Sequence, residues 1–437
     1  MTAASSRPLL IRGARLLDAA ARRDETGDLL VEDGVIAAVG GRIEAPPGSE
    51  LLDGSGLCLA PGLVDMRTQL REPGAEHKES LQSAAEAAVA GGVTTLASLA
   101  NTDPPIDEPA LLSSIGRRAQ EIGLVRMLPY GALTRGRQGR ELTEMGLLTE
   151  AGAVGFSDAP SALASAAVMR RALSYARTFG QLVMNHPEEP SLTDKGSMNE
   201  GEIATRLGIG ARTAKAEVMM VERDLHLAEL TGGRYHAGPL STAAAIEAVR
   251  QAKRRGVHVT ADTAPHYFAL NETAVGDYRT FAKVAPPLRA EWDRRAVVEG
   301  LKDGTIDAIA SDHAPHDQDS KRLPFGQAAF GIIGLETLLP LSLELFHNGH
   351  LPLLDLVARL TSGPARILRQ TSGCLAIGAP ADLLLFDLAQ PGRIEVARFH
   401  SKSKNSPFDG RPCEGRVVAT LIGGRQVYGS TGVRAGA

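Results

Sequence analysis

Cysteine is scarce in this chain, and charge of either sign is close to balanced. Cys58, Cys374 and Cys413 are the only three cysteines in 437 residues; they lie far apart and form no CxxC pair. That usage excludes a disulfide framework and suits a reducing compartment. A net charge of −4 leaves no electrostatic footprint for nucleic acid or an anionic membrane. No uninterrupted apolar run is long enough to span a bilayer, and the N-terminus lacks a basic-plus-apolar signal pattern. The expectation is a cytoplasmic globular protein with no nucleic-acid or membrane partner. What is present is ordinary, 43% hydrophobic and 22% charged residues, over a length that suits a large domain plus a smaller one.

Three zones follow along the chain. Residues 1–58 alternate short apolar runs with Gly and Asp turns, as in Leu9-Leu10-Ile11, Asp28 to Glu32 and Val35 to Val39. Residues 372–437 repeat that style in Ala381 to Asp387 and Val417 to Ile422. Both read as short antiparallel strands, predicting one small β-sandwich domain built from the two termini. Residues 59–371 alternate short apolar strands with helical stretches. The strands predicted are Leu57 to Met66, Val93 to Leu99, Val125 to Tyr130, Ala153 to Ser157, Leu182 to Asn185, Arg234 to Gly238, Val257 to Ala261 and Ile306 to Ser311. Helices are predicted over Glu76 to Ala90, Ala162 to Thr178, Ala211 to Leu230 and Thr242 to Arg255. Eight such units make an α/β chain with a (β/α)8 TIM barrel. A doubly wound sheet also alternates, but no GxGxxG turn follows the first strand.

Function in such barrels sits at the carboxyl ends of the strands. Those ends carry Arg67 and Gln69, Asn101, Asp158, His186, Pro239, His266, and the run Asp312-His313-Ala314-Pro315-His316. A single His or Asp there is commonly a satisfied structural residue; repetition at strand end after strand end points to a site.

Longer motifs run in register with these ends. They include Pro61-Gly62-Leu63-Val64-Asp65, Arg71-Glu72-Pro73-Gly74, Asn101-Thr102, Phe156-Ser157-Asp158, Leu240-Ser241-Thr242 and Pro265-His266-Tyr267. Pro286-Pro287-Leu288-Arg289, the Asp312 to His316 run, Gly331-Ile332-Ile333-Gly334 and Ser401 to Asn405 complete the series. In content and order the chain resembles the dihydroorotases of the amidohydrolase superfamily over nearly its whole length. Hydantoinases and allantoinases fit less well, because they carry a carboxylated lysine on strand four where this chain has Asp158.

The resemblance implies a metal-activated hydroxide that attacks the cyclic amide of dihydroorotate, in reversible ring closure of carbamoyl aspartate. It implies one metal held by two strand-one histidines, a bridging strand-four Asp and a strand-eight Asp that also shuttles the proton. The second metal takes the bridging Asp and histidines from strands five and six. Asp158, His186 and Asp312 match those positions. Arg67, Gln69 and Pro239 stand where the three remaining histidines belong, so each metal keeps two matched ligands, whereas a catalytic zinc takes three. A guanidinium has no free lone pair and repels a cation, Gln69 offers only a neutral amide oxygen, and proline has no side-chain donor. His236, three residues before Pro239, is expected on the opposite strand face.

Arg71, Asn101 and His316 match positions that hold the substrate carboxylate, though Ala285 and Ala159 replace an Asn and an acid of the family pattern. These readings lead to a degenerate, non-catalytic dihydroorotase-like protein of pyrimidine biosynthesis with no cofactor and with Asp312 vestigial. By resemblance its partners are an aspartate transcarbamoylase catalytic chain and further copies of itself. Two alternatives stay open: an active zinc dihydroorotase with an atypical site, and a carboxylate-binding or sensing protein. Arg67 is expected to fill the vacated metal position and pair with Asp158, Asp312 or both, the alternative being that it turns outward to solvent.

Overall fold

The computed structural model describes residues 7–193 and 195–429; residues 1–6 and 430–437, inside the two predicted terminal zones, lie outside the described residues. Parallel pairing runs from Leu63–Thr68 to Val93–Ser98 and on to Arg126–Pro129. Single bridges carry it through Phe156 to Leu182–Asn185, and ladders continue to Arg234–Ala237, Val259–Thr263 and Ala308–Ile309. A bridge from His313 back to Thr68 closes the ring. The (β/α)8 barrel is therefore complete, with its strand ends facing one mouth.

The fourth and eighth barrel strands fall furthest short of the predicted ranges. Only Phe156 of the fourth segment is bridged, although Val154, Phe156 and Ser157 still donate to carbonyls of neighbouring segments. Gly155 supplies no side chain there, and a Cβ on it would meet Leu182 O at 3.0 Å. The eighth strand stops at Ile309, and soon after it Asp312 adopts a left-handed φ of 50°.

Three helix starts coincide with side-chain caps. The first helix is Leu81–Ala90 because Ser80 and Ser83 form a reciprocal capping box. Ser165 caps Ala166–Thr178, and Thr242 caps Ala243–Arg254. The helix predicted from Ala211 starts at Lys215, since Ala211–Arg212 pairs instead with Met198–Asn199.

A second sheet joins the two chain ends. Its order is Arg425–Tyr428, Pro412–Ile422, Leu383–Arg393, Cys58–Pro61, Leu9–Asp18, Arg23–Glu32, Val35–Val39, with Glu50–Asp53 alongside Leu9–Asp18. Sheet pairing continues past residue 58 to Pro61, two residues before the first barrel strand. Strand alternation divides Leu383 to Phe386 between two cores: Leu383 and Leu385 pack in the sheet's own core, Leu384 and Phe386 in the barrel's. None of the helices is long and apolar enough to cross a membrane, among the described residues.

Candidate functional site at the barrel mouth

The first barrel strand ends by sending Arg67 into the barrel, where its side chain is 1% exposed. Nε lies 3.5 Å from Asp262 Oδ2 and 4.0 Å from Asp312 Oδ1. Nη2 donates to the Gly238 carbonyl, directly before Pro239, and sits 3.4 Å from Met184 Sδ. Burial opposes the guanidinium's charge, but Asp262 and Asp312 outweigh it and hold its pKa above the ordinary value. In return Arg67, with His236, keeps Asp262 below the usual carboxylate range although that carboxylate is fully buried.

Arg67 thus turns inward and approaches Asp312, while its nearer partner is Asp262, a strand-seven residue missed in the sequence. A mid-strand acid in Val259–Thr263 was the available signal. The expected pairing with Asp158 does not form. Asp158 Oδ1 accepts from Leu133 N at 2.9 Å and Thr134 N at 3.0 Å, and Oδ2 accepts from the Thr134 hydroxyl. Three donors from one turn capture this carboxylate and aim it at the loop after the third strand.

His236 also corrects an expectation. It lies inside the barrel, with Nδ1 2.8 Å from Thr260 Oγ1 and Nε2 3.4 Å from Asp262 Oδ2. The regular strand stops at Ala237, so strand alternation cannot be counted through to Pro239. His186 pairs with a neighbouring acid: Nε2 is 3.2 Å from Glu188 Oε2, which also takes Arg212 at 2.9 Å.

Asp312 is 15% exposed at the mouth, with His266 Nε2 3.8 Å from its Oδ2. Burial pushes its carboxyl up to about 7; Arg67 opposes that shift, and Asp262 and Asp65 reinforce it. Burial lowers His266 to about 3, so this imidazole is neutral.

The positions matched to a substrate clamp are engaged with protein partners. Asn101 Nδ2 donates to Gln69 Oε1 at 2.9 Å, so each amide occupies the other. Arg71 donates through Nε to Pro315 O at 3.1 Å, and its Nη2 lies 3.2 Å from His316 Nε2. Burial, with Arg137 nearby, lowers the Arg71 guanidinium to about 10. His316 also lines a cleft of about 530 Å³ with Arg279 and Lys404.

A zinc centre does not fit this donor set. Among the described residues, no three His, Cys, Asp or Glu side chains gather into a group able to hold a metal ion. Asp158 accepts from Leu133 and Thr134, His186 Nε2 pairs with Glu188, and the Arg67 cation already lies near Asp262 and Asp312.

Comparison with known proteins bears on the whole chain. A dihydro-orotase-like family matches residues 56–245, and the amidohydrolase family matches residues 295–428. The dihydroorotase of Pelobacter propionicus is 47% identical over 420 residues, covering 96% of this chain and 99% of that protein. The dihydroorotase of Geobacter sp. strain M21 is 45% identical with the same coverage. Among solved structures, L-hydantoinase from Arthrobacter aurescens superposes with a TM-score of 0.86 at 25% identity, over 96% of each chain. D-hydantoinase from Thermus sp. superposes at 0.80 and 23% identity, over 96% of this chain and 95% of its own, a likeness of fold.

Proposed function

This chain belongs to the dihydroorotase family, and we propose that it is a non-catalytic member serving pyrimidine biosynthesis as a structural partner of an aspartate transcarbamoylase catalytic chain. One observation carries the reading: the buried Arg67 guanidinium lies between Asp262 and Asp312. A permanent cation there opposes a divalent metal, and arginine cannot donate a lone pair to one. No hydrolytic step is routed through a metal on these residues. Selection on a scaffold role is consistent with a closed barrel and terminal sheet kept around such a centre.

The partner surface and the self-association belong to the same proposal and rest on the family resemblance. Mixing the purified chain with a transcarbamoylase catalytic chain and measuring mass by sedimentation tests them. A stable mixed assembly supports the reading, and two independently sedimenting species overturn it.

The family names favour a second reading, an active zinc dihydroorotase with an atypical site, because the relatives at 45–47% identity are themselves named dihydroorotase. A dihydroorotase assay with and without added zinc separates the two. Absence of turnover in both supports the non-catalytic reading; zinc-dependent turnover establishes the second. A carboxylate-sensing role draws support from Arg71, which has no carboxylate within 4.0 Å among the described residues. Calorimetry with dihydroorotate tests it, and heat that does not saturate would remove it.

A further inference from the structure

The opposite end of the barrel carries a cleft that the family chemistry does not use. It has a volume of about 1270 Å³ and opens where the Ala19–Arg22 turn of the terminal sheet meets residues 354–374. Its position at the amino ends of the strands follows from Arg234, the first residue of the sixth strand, which donates to Gly180 O and Ile367 O.

Four arginines line the cleft, Arg22, Arg359, Arg366 and Arg369, against one carboxylate, Asp355. Among the described residues, none of these five side chains makes an ion pair within 4.0 Å, although 28 such contacts occur elsewhere. The nearest other acids are already committed. Asp307 is held by Lys253 at 2.6 Å and Asp303 by Arg250 at 2.8 Å. Asp18 accepts from Ala20 N, Ala21 N and Leu375 N, which ties the turn to the facing segment and fixes the two walls.

One of the four guanidinium groups is fixed by the fold. Arg359 directs Nε and Nη2 to Leu301 O at 3.2 and 3.0 Å. Arg22 and Arg369 hold left-handed φ values of 52° and 55°, uncommon for residues with a side chain. Arg369 lies against Gly180, where a Cβ would meet its Nη1 at 2.7 Å, so the glycine makes room for it. Ser372 is a further residue of the cleft wall, and its hydroxyl is buried behind it with no hydrogen-bond partner. Three guanidinium forks without an acid, those of Arg22, Arg366 and Arg369, are a donor array for acceptor oxygens.

We propose that this basal cleft binds a phosphorylated small molecule carrying two or more linked phosphate groups. Planar guanidinium forks match phosphate oxygens bidentately, and several of them together favour a polyphosphate over a single anion. The volume exceeds what orthophosphate fills, leaving room for an organic group beyond the phosphates. The exposed arginines come from both walls, Arg22 from the turn of the terminal sheet and Arg366 and Arg369 from the facing segment.

The test is calorimetric titration of the full chain with inorganic tripolyphosphate, with orthophosphate and polyglutamate as parallel titrants. Saturable tripolyphosphate binding is expected, weakening with salt. It should fall by about tenfold or more in R366A/R369A, and again in R22E on the facing wall, while R117A on a remote helix leaves it unchanged. Reading both walls keeps the test decisive if one variant does not fold. No saturable binding, equal binding in the wall variants, or orthophosphate binding as tightly as tripolyphosphate overturns the proposal. Tighter binding of polyglutamate overturns it in favour of an acidic peptide.

Discussion

The two ends of the barrel treat arginine in opposite ways. At the mouth a single guanidinium is sealed inside and matched by Asp262 and Asp312. At the base four guanidinium groups share an open cleft with one acid and no ion pair. A cation that replaces something internal must be neutralised internally, because burying it alone is prohibitive. Cations left unmatched at the surface stay solvated and free to meet an anion from outside. Residue type is the same; burial and partner decide the role.

That contrast breaks most sharply at Arg67. Arg67→Leu strands two buried carboxylates, and a loss of about 3–5 kcal/mol is expected in chemical denaturation. The sign with pH follows from the acids. Without Arg67 the folded Asp262 rises above its unfolded pKa, and Asp312, which burial already lifts to about 7, rises further, so their contribution is intact at low pH and is lost as pH climbs through the folded values. Destabilisation should therefore be larger at pH 8 than at pH 5, and an equal loss at both would separate Arg67 from these carboxylates.

Lys321 sharpens the comparison as a cation that is buried yet lacks an acid. Its Nζ donates to Ala329 O at 2.8 Å and Gly331 O at 3.0 Å, and burial, with Lys283 adding to it, lowers it to about 7. The unfolded lysine holds its proton to about pH 10.4. Between these values the unfolded state binds more protons, so stability rises with pH across that window. Lys321→Met should flatten that rise, by on the order of 3 kcal/mol, in denaturation curves collected from pH 7 to 10.

Smaller effects are expected where charge is already spent locally. Asp158→Ala removes the acceptor for Leu133 N, Thr134 N and the Thr134 hydroxyl, and should lower stability by about 1–3 kcal/mol. A change comparable to Arg67→Leu would mean that Asp158 also serves the central cation. Arg366→Ala, at the exposed cleft, should stay within about 0.5 kcal/mol; a clear loss would reveal an internal partner.

Most of the barrel was legible because strand and helix periods alternate and strand-end motifs keep their order. Segments failed where a local interaction outranked periodicity. Ser80 stopped a helix that Glu76 was expected to begin, and Ala211-Arg212 went to a short pairing instead. At the site, residue chemistry alone set Arg67, Gln69 and Pro239 apart from the histidines that the family resemblance implies. What it could not reveal was orientation. Asp158 is turned by a Thr134 distant in sequence, and Asp262 faces Arg67 only because of how the strands stagger around the barrel. His236 was assigned to the wrong face because the strand ends at Ala237, before the residue used as reference.

The direct test of Arg67 as the resident cation is zinc stoichiometry after equilibrium dialysis, with R67H/Q69H/P239H measured alongside. The expected result is no stoichiometric zinc in the natural chain and uptake in the triple variant. One tightly held zinc per natural chain would contradict it.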